Sequence, residues 1–253
     1  MTEIYKIPLG EDALQNMPKS ERTLLLVLGH LANEINILTK TFYWAAHTDD
    51  GSDVQRLGSN AQAMLFGRIL CGKLYEGWRL IGSAYYGSKL SKTYDPLLDA
   101  ETKDALKEAK RYFGKENAIG KIRNGFAFHF SPEEINDCFE NSERADPMDM
   151  YMSDDNANTL YSFAETVVNQ SSLESINKDD PQAALAAMID ESTRITALFN
   201  QIIGGCMSTA IRRHLCENLE ELGAESIDLP DLPDFHDIRL PYFVSVRETK
   251  ASH

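Results

Sequence analysis

Leu24-Leu25-Leu26-Val27-Leu28-Gly29-His30-Leu31-Ala32-Asn33-Glu34-Ile35-Asn36-Ile37-Leu38-Thr39-Lys40-Thr41-Phe42 is the stretch from which the fold class follows. Leu24, Leu28, Leu31, Ile35, Leu38 and Phe42 recur at steps of three and four, so they line one stripe of an amphipathic helix. Ser20 stands where an N-cap belongs, because its hydroxyl can accept from a free backbone N–H. The polar loop from His47 to Asp53 marks the other end. His30, set among leucines, reads as a core histidine.

The same period recurs along the chain. Leu70, Leu74, Ile81 and Ala84 stripe a second helix predicted over 54–87, with Trp78 and Tyr85 beside them as core or interface aromatics. Gly67, Gly72, Gly77 and Gly82 fall in it; each weakens an isolated helix by about 1 kcal/mol against alanine. Their use is close approach of helices. A shorter helix follows over 100–113, stopped at Gly114. The next begins near Asn117 and runs through Arg123. Ser131-Pro132-Glu133-Glu134 is a helix start, with serine as cap, proline in the first position and acids in the first turn.

Residues 141–155 read as irregular. Leu160, Phe163, Ala164, Val167 and Val168 predict a helix capped near Asp155 or Asn156. Pro181 opens a long helix expected to reach Leu222. Pro230, Pro233 and Pro241 then forbid regular helix and leave an extended tail. Strand signals are nearly absent. The fold class is therefore all-α, divided into an N-terminal extension (1–19), a helical domain (20–225) and an extended tail (226–253).

The chain has 253 residues, a formal net charge of −14 and a pI near 4.8, which excludes a general nucleic-acid coat. Residues 101–123 depart from that balance: seven cations, among them Arg111, Lys115 and Lys121, stand against four acids, a net +3. They form either a local basic patch or a solvated helix face. Cys71, Cys138, Cys206 and Cys216 form no CxxC pair, and Cys71 and Cys206 lie in apolar surroundings as free thiols of a reducing compartment. The polar start is no signal peptide, and no apolar run reaches membrane-spanning length. A cytoplasmic protein without membrane contact is expected.

The basic stretch leads into Arg123-Asn124-Gly125-Phe126-Ala127-Phe128-His129. An arginine is a permanent phosphate clamp and a histidine moves protons near neutrality. Together they are the groups needed to cut RNA through its own 2′-hydroxyl without a metal: one group exchanges protons with the 2′-oxygen and the leaving 5′-oxygen, the other stabilises charge on the phosphorane-like transition state. Asn124 can hold a phosphate or orient His129. Six residues separate Arg123 from His129, nearly two helical turns, so a break before His129, or a second copy across a dimer axis, is needed to bring both to one phosphate.

Ile122–Phe130, with arginine and asparagine, four intervening residues and then histidine, resembles the HEPN superfamily (higher eukaryotes and prokaryotes nucleotide-binding), and within it an abortive-infection group. Gly72–Leu80 resembles the helix before the motif in that group, and Asn158–Ala164 does so more loosely. The resemblance touches residues 20–225, with its specific part at 121–130. It implies a HEPN-like antiparallel helical bundle with extra C-terminal helices and an extended tail. It further implies a metal-independent endoribonuclease of a toxin–antitoxin or phage-defence system, with a homodimer, an RNA substrate and an antitoxin or defence-system protein as partners. Arg123, Asn124 and His129 match the family's functional positions. Some members carry a tyrosine after the histidine, where this chain has Phe130. No nucleotidyltransferase motif is present, so such a partner would be a separate protein. No cofactor or metal is called for.

Other groups keep two readings. Glu76 is either an auxiliary carboxylate of the site or an ion-pair partner of Lys73 or Arg79 one turn away. Arg111, Lys115 and Lys121 are candidate RNA contacts or a solvated face. Arg212-Arg213-His214 resembles a second phosphate site, or a set of charges suited to a helix C-terminus. His47, Asp49, Asp50 and Asp53 match no calcium loop, and the absence of any Glu-x-x-His removes the carboxylate di-iron bundle. Against the nuclease stand two alternatives: a catalytically silent HEPN-like dimeric interaction module, and a sensor that binds a nucleotide through Arg123.

Overall fold

The computed structural model describes residues 4–47, 51–143, 148–215 and 223–245. β1 (Ile4–Lys6) and α1 (Glu11–Asn16) precede α2 (Lys19–Ala46), which carries the leucine stripe. Leu24, Leu28, Leu31 and Ile35 are all buried, each worth about 1.5–3 kcal/mol of burial. Ser20 lies inside the helix rather than at its cap. His30 is not a core histidine. Two positions past Leu28, it turns out of the stripe, stays exposed and lies 3.5 Å from Glu34 one turn on.

α3 (Asp53–Ile81) continues into a π-helical turn, Gly82–Gly87, closed by Ser88 N–H donating to Ser83 O, five residues back, at 3.1 Å. α4 (Ser91–Tyr94) and α5 (Ala100–Phe113) follow. Asp99 caps α5 through Thr102 N–H, and Gly114 ends it. α6 (Ala118–Ile122) passes into a second π-helical turn, Arg123–Ala127, and α7 (Pro132–Asn141) starts with its proline first and Ser131 at the N-cap position, as expected, but the serine side chain makes no capping hydrogen bond. Leu160 does not begin a helix. It pairs with Tyr151 in an isolated antiparallel bridge, Asp155 caps only a short 3-10 turn at Asn156–Asn158, and α8 spans Ser162–Glu174. α9 (Pro181–His214) is the long proline-opened helix, and its expected extension to Leu222 lies outside the described residues.

Helix dominates the described residues. The exception is a two-stranded antiparallel sheet in which β1 pairs with β2 (Glu225–Ile227), Ile4 opposite Ile227. Both strands are three residues long and wholly exposed, so they carry no alternating pattern for the sequence to reveal. No described helix is long and apolar enough to cross a membrane.

The chain divides into two compact units, with the division falling inside α2, α3 and α9. The first holds Met1–Asn36, Lys73–Asn117 and Asp190–Phe235; the second holds Ile37–Gly72, Ala118–Ile189 and His236–His253. In the first, Phe199 is buried against the ring of Phe113, on which Trp78 stacks with centroids 5.4 Å apart. Gly77 lets Phe199 and Leu31 close in: a Cβ there would stand 2.7 Å from the Phe199 ring. In the second, Gly67 sits against Met188 and Phe42. Gly82 is exposed, has no such neighbour and opens the first π turn.

Within the second unit, residues 236–244 form a strap. His236 Nδ1 lies 2.7 Å from the Tyr43 hydroxyl, Tyr242 donates to Thr159 O at 2.7 Å, and the Asn158 amide holds both the N–H and C=O of Val244 at 2.8 Å. Gly58 is the seat of the strap, since a Cβ would come within 2.8 Å of Tyr242.

Candidate functional site

The candidate site belongs to the second unit. α6 is anchored by Ile119 and Ile122, both fully buried, so the turn that follows is held at its root. Arg123, the first residue of the π turn, is half-buried, and its Nη1 donates to Asn124 Oδ1 at 3.1 Å. A π turn takes up one more residue than an α-helical turn, so the phase set by α6 shifts before His129. The turn ends at Ala127 and α7 begins at Pro132. His129 therefore stands at a junction between helical segments, and it is exposed.

Two glycines seat this turn. Gly72 of α3 lies under it: a Cβ there would stand 2.5 Å from the Phe128 ring and 2.9 Å from Ala127 Cβ. Gly125 is buried, with a would-be Cβ 3.1 Å from Glu134 Oε2 and 3.3 Å from Ser131 Oγ. The first turn of α7 thus brings a carboxylate and a hydroxyl to the motif backbone. Glu134 is the third helical residue after Ser131, the position from which a capping-box glutamate reaches back. That spacing was the available signal for an acidic neighbour of the motif. Phe126 is buried, whereas Phe128 and Phe130 are exposed by 50% and 81% on either side of His129.

Arg123 and Asn124 are joined by a hydrogen bond, and His129 follows two residues past the end of that turn. Lys121, half-buried, shares their unit, whereas Arg111, Lys115 and Glu76 belong to the first. Glu76 lies 3.6 Å from Arg79 as a one-turn pair, and Lys73 instead donates to Glu34 at 2.8 Å. Tyr85 is a buried core aromatic whose hydroxyl donates to Asp95 at 2.5 Å, and Trp78, half-buried, stacks on Phe113. Asp53 pairs with Arg56, and Asp49 and Asp50 lie outside the described residues, as does Cys216. Cys71, Cys138 and Cys206 are buried free thiols, and burial pushes Cys206 up to about 12.

The second arginine–histidine pair has a different setting. In the first unit, Glu21 is almost fully buried and accepts from Tyr94 at 2.9 Å and from Arg213 Nε at 3.2 Å, and the His214 ring nitrogen lies 2.8 Å from it. Burial alone would raise the Glu21 carboxyl, but the His214, Arg213 and Tyr94 hydrogen bonds together hold it below its ordinary value. Burial and the Glu21 carboxylate push the Tyr94 phenol upward. These charges are committed to one another.

Chemically, the motif turn offers a guanidinium fork, an amide bonded to it and an exposed imidazole within seven consecutive residues, on a backbone braced by α3 and α7. No family model, curated protein or solved structure matches this chain.

Proposed function

We propose that the chain is a HEPN-like endoribonuclease that cleaves RNA by 2′-hydroxyl attack, acting as a cytoplasmic homodimer in a toxin–antitoxin or phage-defence system. The observation that supports it most is the turn Arg123–His129: arginine and asparagine hydrogen-bonded to each other, with the histidine exposed at the break that follows. His129 takes the 2′-hydroxyl proton. The 2′-oxygen attacks phosphorus, the P–O5′ bond breaks, and an imidazolium, from the same residue or its dimer copy, protonates the leaving oxygen. Arg123 stabilises the charge on the equatorial oxygens and Asn124 orients it. Lys121, in the same unit as the motif, supplies local positive charge for the RNA backbone. Products carry a 2′,3′-cyclic phosphate and a 5′-hydroxyl.

A homodimer with apposed motifs, in a HEPN-like bundle, is supported by Phe128 and Phe130. Large apolar side chains exposed around a polar site are suited to being covered by a partner surface. The same two residues favour the second reading, a catalytically silent dimeric interaction module. Incubation of a mixed RNA pool with EDTA separates the two. Cleavage by wild type, with cyclic-phosphate ends, and none by Arg123→Ala or His129→Ala, is the nuclease result. Folded dimer that cleaves nothing is the silent-module result.

A further inference from the structure

Met148-Asp149-Met150-Tyr151-Met152 lies in the second unit, in the connection between α7 and α8. Its backbone is pinned as an extended segment. Tyr151 exchanges both backbone hydrogen bonds with Leu160 at 2.8 Å, and Asp149 O accepts from Phe163 N–H at 2.8 Å. Successive side chains of an extended segment point to opposite faces, so the three methionines share one face. Tyr151, between two of them, is half-buried and takes the inner face with its buried partner Leu160. Met148, Met150 and Met152 are exposed by 42%, 58% and 67%. Tyr161, next to Leu160 across the bridge, is exposed as well and by register falls beside Met150.

Three thioethers held out to solvent add little to a core, but they make one kind of ligand. Thioether sulfur is soft and uncharged, so it selects copper(I) over magnesium, calcium and manganese, which take oxygen. Neighbouring methionines on this face stand about 6–7 Å apart at Cα. Three rotatable bonds in each side chain let their sulfurs turn onto one ion lying over Met150. Asp149 is exposed within the segment and the chain carries −14 overall, so the field there draws a cation. An apolar partner surface would need only the bulk of these side chains, whereas a metal needs their sulfur, and leucine separates the two.

We propose that this face binds a soft monovalent metal ion, copper(I), through the thioethers of Met148, Met150 and Met152. The site is independent of the proposed RNA chemistry.

The test is titration of the full chain, methyl-labelled at methionine, with silver(I), a redox-stable probe of the same charge and softness, in excess over the four cysteine thiols. The ε-methyl resonances of Met148, Met150 and Met152 are expected to shift together, while those of the buried Met17 and Met188 stay in place. Copper(I), added as its acetonitrile complex under argon, should reproduce the shifts, and zinc(II) at the same concentration should move none of the three. Met150→Leu keeps the bulk of the side chain and removes the central sulfur. It should weaken silver(I) binding, read at the two remaining methyls, at least about tenfold, or about 1.4 kcal/mol. The assignment is overturned if the three methyls stay in place at millimolar silver(I), if Met17 and Met188 move with them, if zinc(II) matches silver(I), or if Met150→Leu binds as tightly as wild type.

Discussion

Two regions of this molecule hold the same chemical parts and treat them in opposite ways. Arg213 and His214, at the end of α9, converge on the buried carboxylate of Glu21, which also takes the Tyr94 hydroxyl. Arg123 opens a π turn and donates to the Asn124 amide, and His129 stands exposed just past that turn. Arginine and histidine do not make a site by their presence. A shared buried carboxylate turns one pair into a structural clamp, and the proposed RNA chemistry of the other asks for the exposure that His129 has. The first pair ties the start of α2 to the end of α9; the second rides on a backbone seated at Gly72 and Gly125.

The contrast is broken most severely at the motif arginine. Arg123→Ala should lower RNA cleavage by about 10²–10³-fold, the range for losing a transition-state donor. Its unfolding free energy should stay within about 1 kcal/mol of wild type, checked by urea denaturation. Glu21→Ala should do the reverse. It leaves Arg213, His214 and the Tyr94 hydroxyl without their shared acceptor, costing about 2–4 kcal/mol in the same assay, with cleavage per folded molecule unchanged.

Gly72→Ala sharpens the claim that the motif is held through its backbone. The new methyl drives against Phe128 and Ala127, so cleavage should fall and stability drop by about 1–3 kcal/mol. Gly82→Ala, with nothing within 4 Å of its would-be Cβ, should leave cleavage intact and serves as the control.

The smallest effect is the pH dependence of the clamp. The folded Glu21 carboxyl lies below its ordinary value of 4.5, so its contribution is fully present above that pH and is lost as pH falls through the lower folded value. Stability measured from pH 6 downward should decline more steeply in wild type than in Glu21→Gln. Equal slopes would remove Glu21 from the clamp.

Much of this was legible in the residues. The stripes at steps of three and four marked α2 and α3, Pro181 marked the start of α9, and Ser131-Pro132-Glu133-Glu134 marked α7, because local periodicity and helix-start residues decide those elements. The break before His129 followed from the same signal. His30 was misread because composition around it was apolar while its angular position on the helix was not. Leu160 was misread because a short apolar run serves a bridge as well as a helix. The Glu21 clamp joins residues 192 and 193 positions apart, and the strap joins Asn158 to Val244 across 86. Neither has a local pattern, so tertiary structure alone reveals them. Glu134 was visible as a helix-start acid, but its approach to Gly125 was not.

The most direct test sets the two histidines side by side. His129→Ala and His214→Ala are assayed together for cleavage of an RNA pool in EDTA and for urea stability. The account predicts that His129→Ala loses cleavage and keeps its stability, while His214→Ala loses stability and keeps cleavage per folded molecule. Cleavage that persists in His129→Ala, or that vanishes in folded His214→Ala, would contradict it.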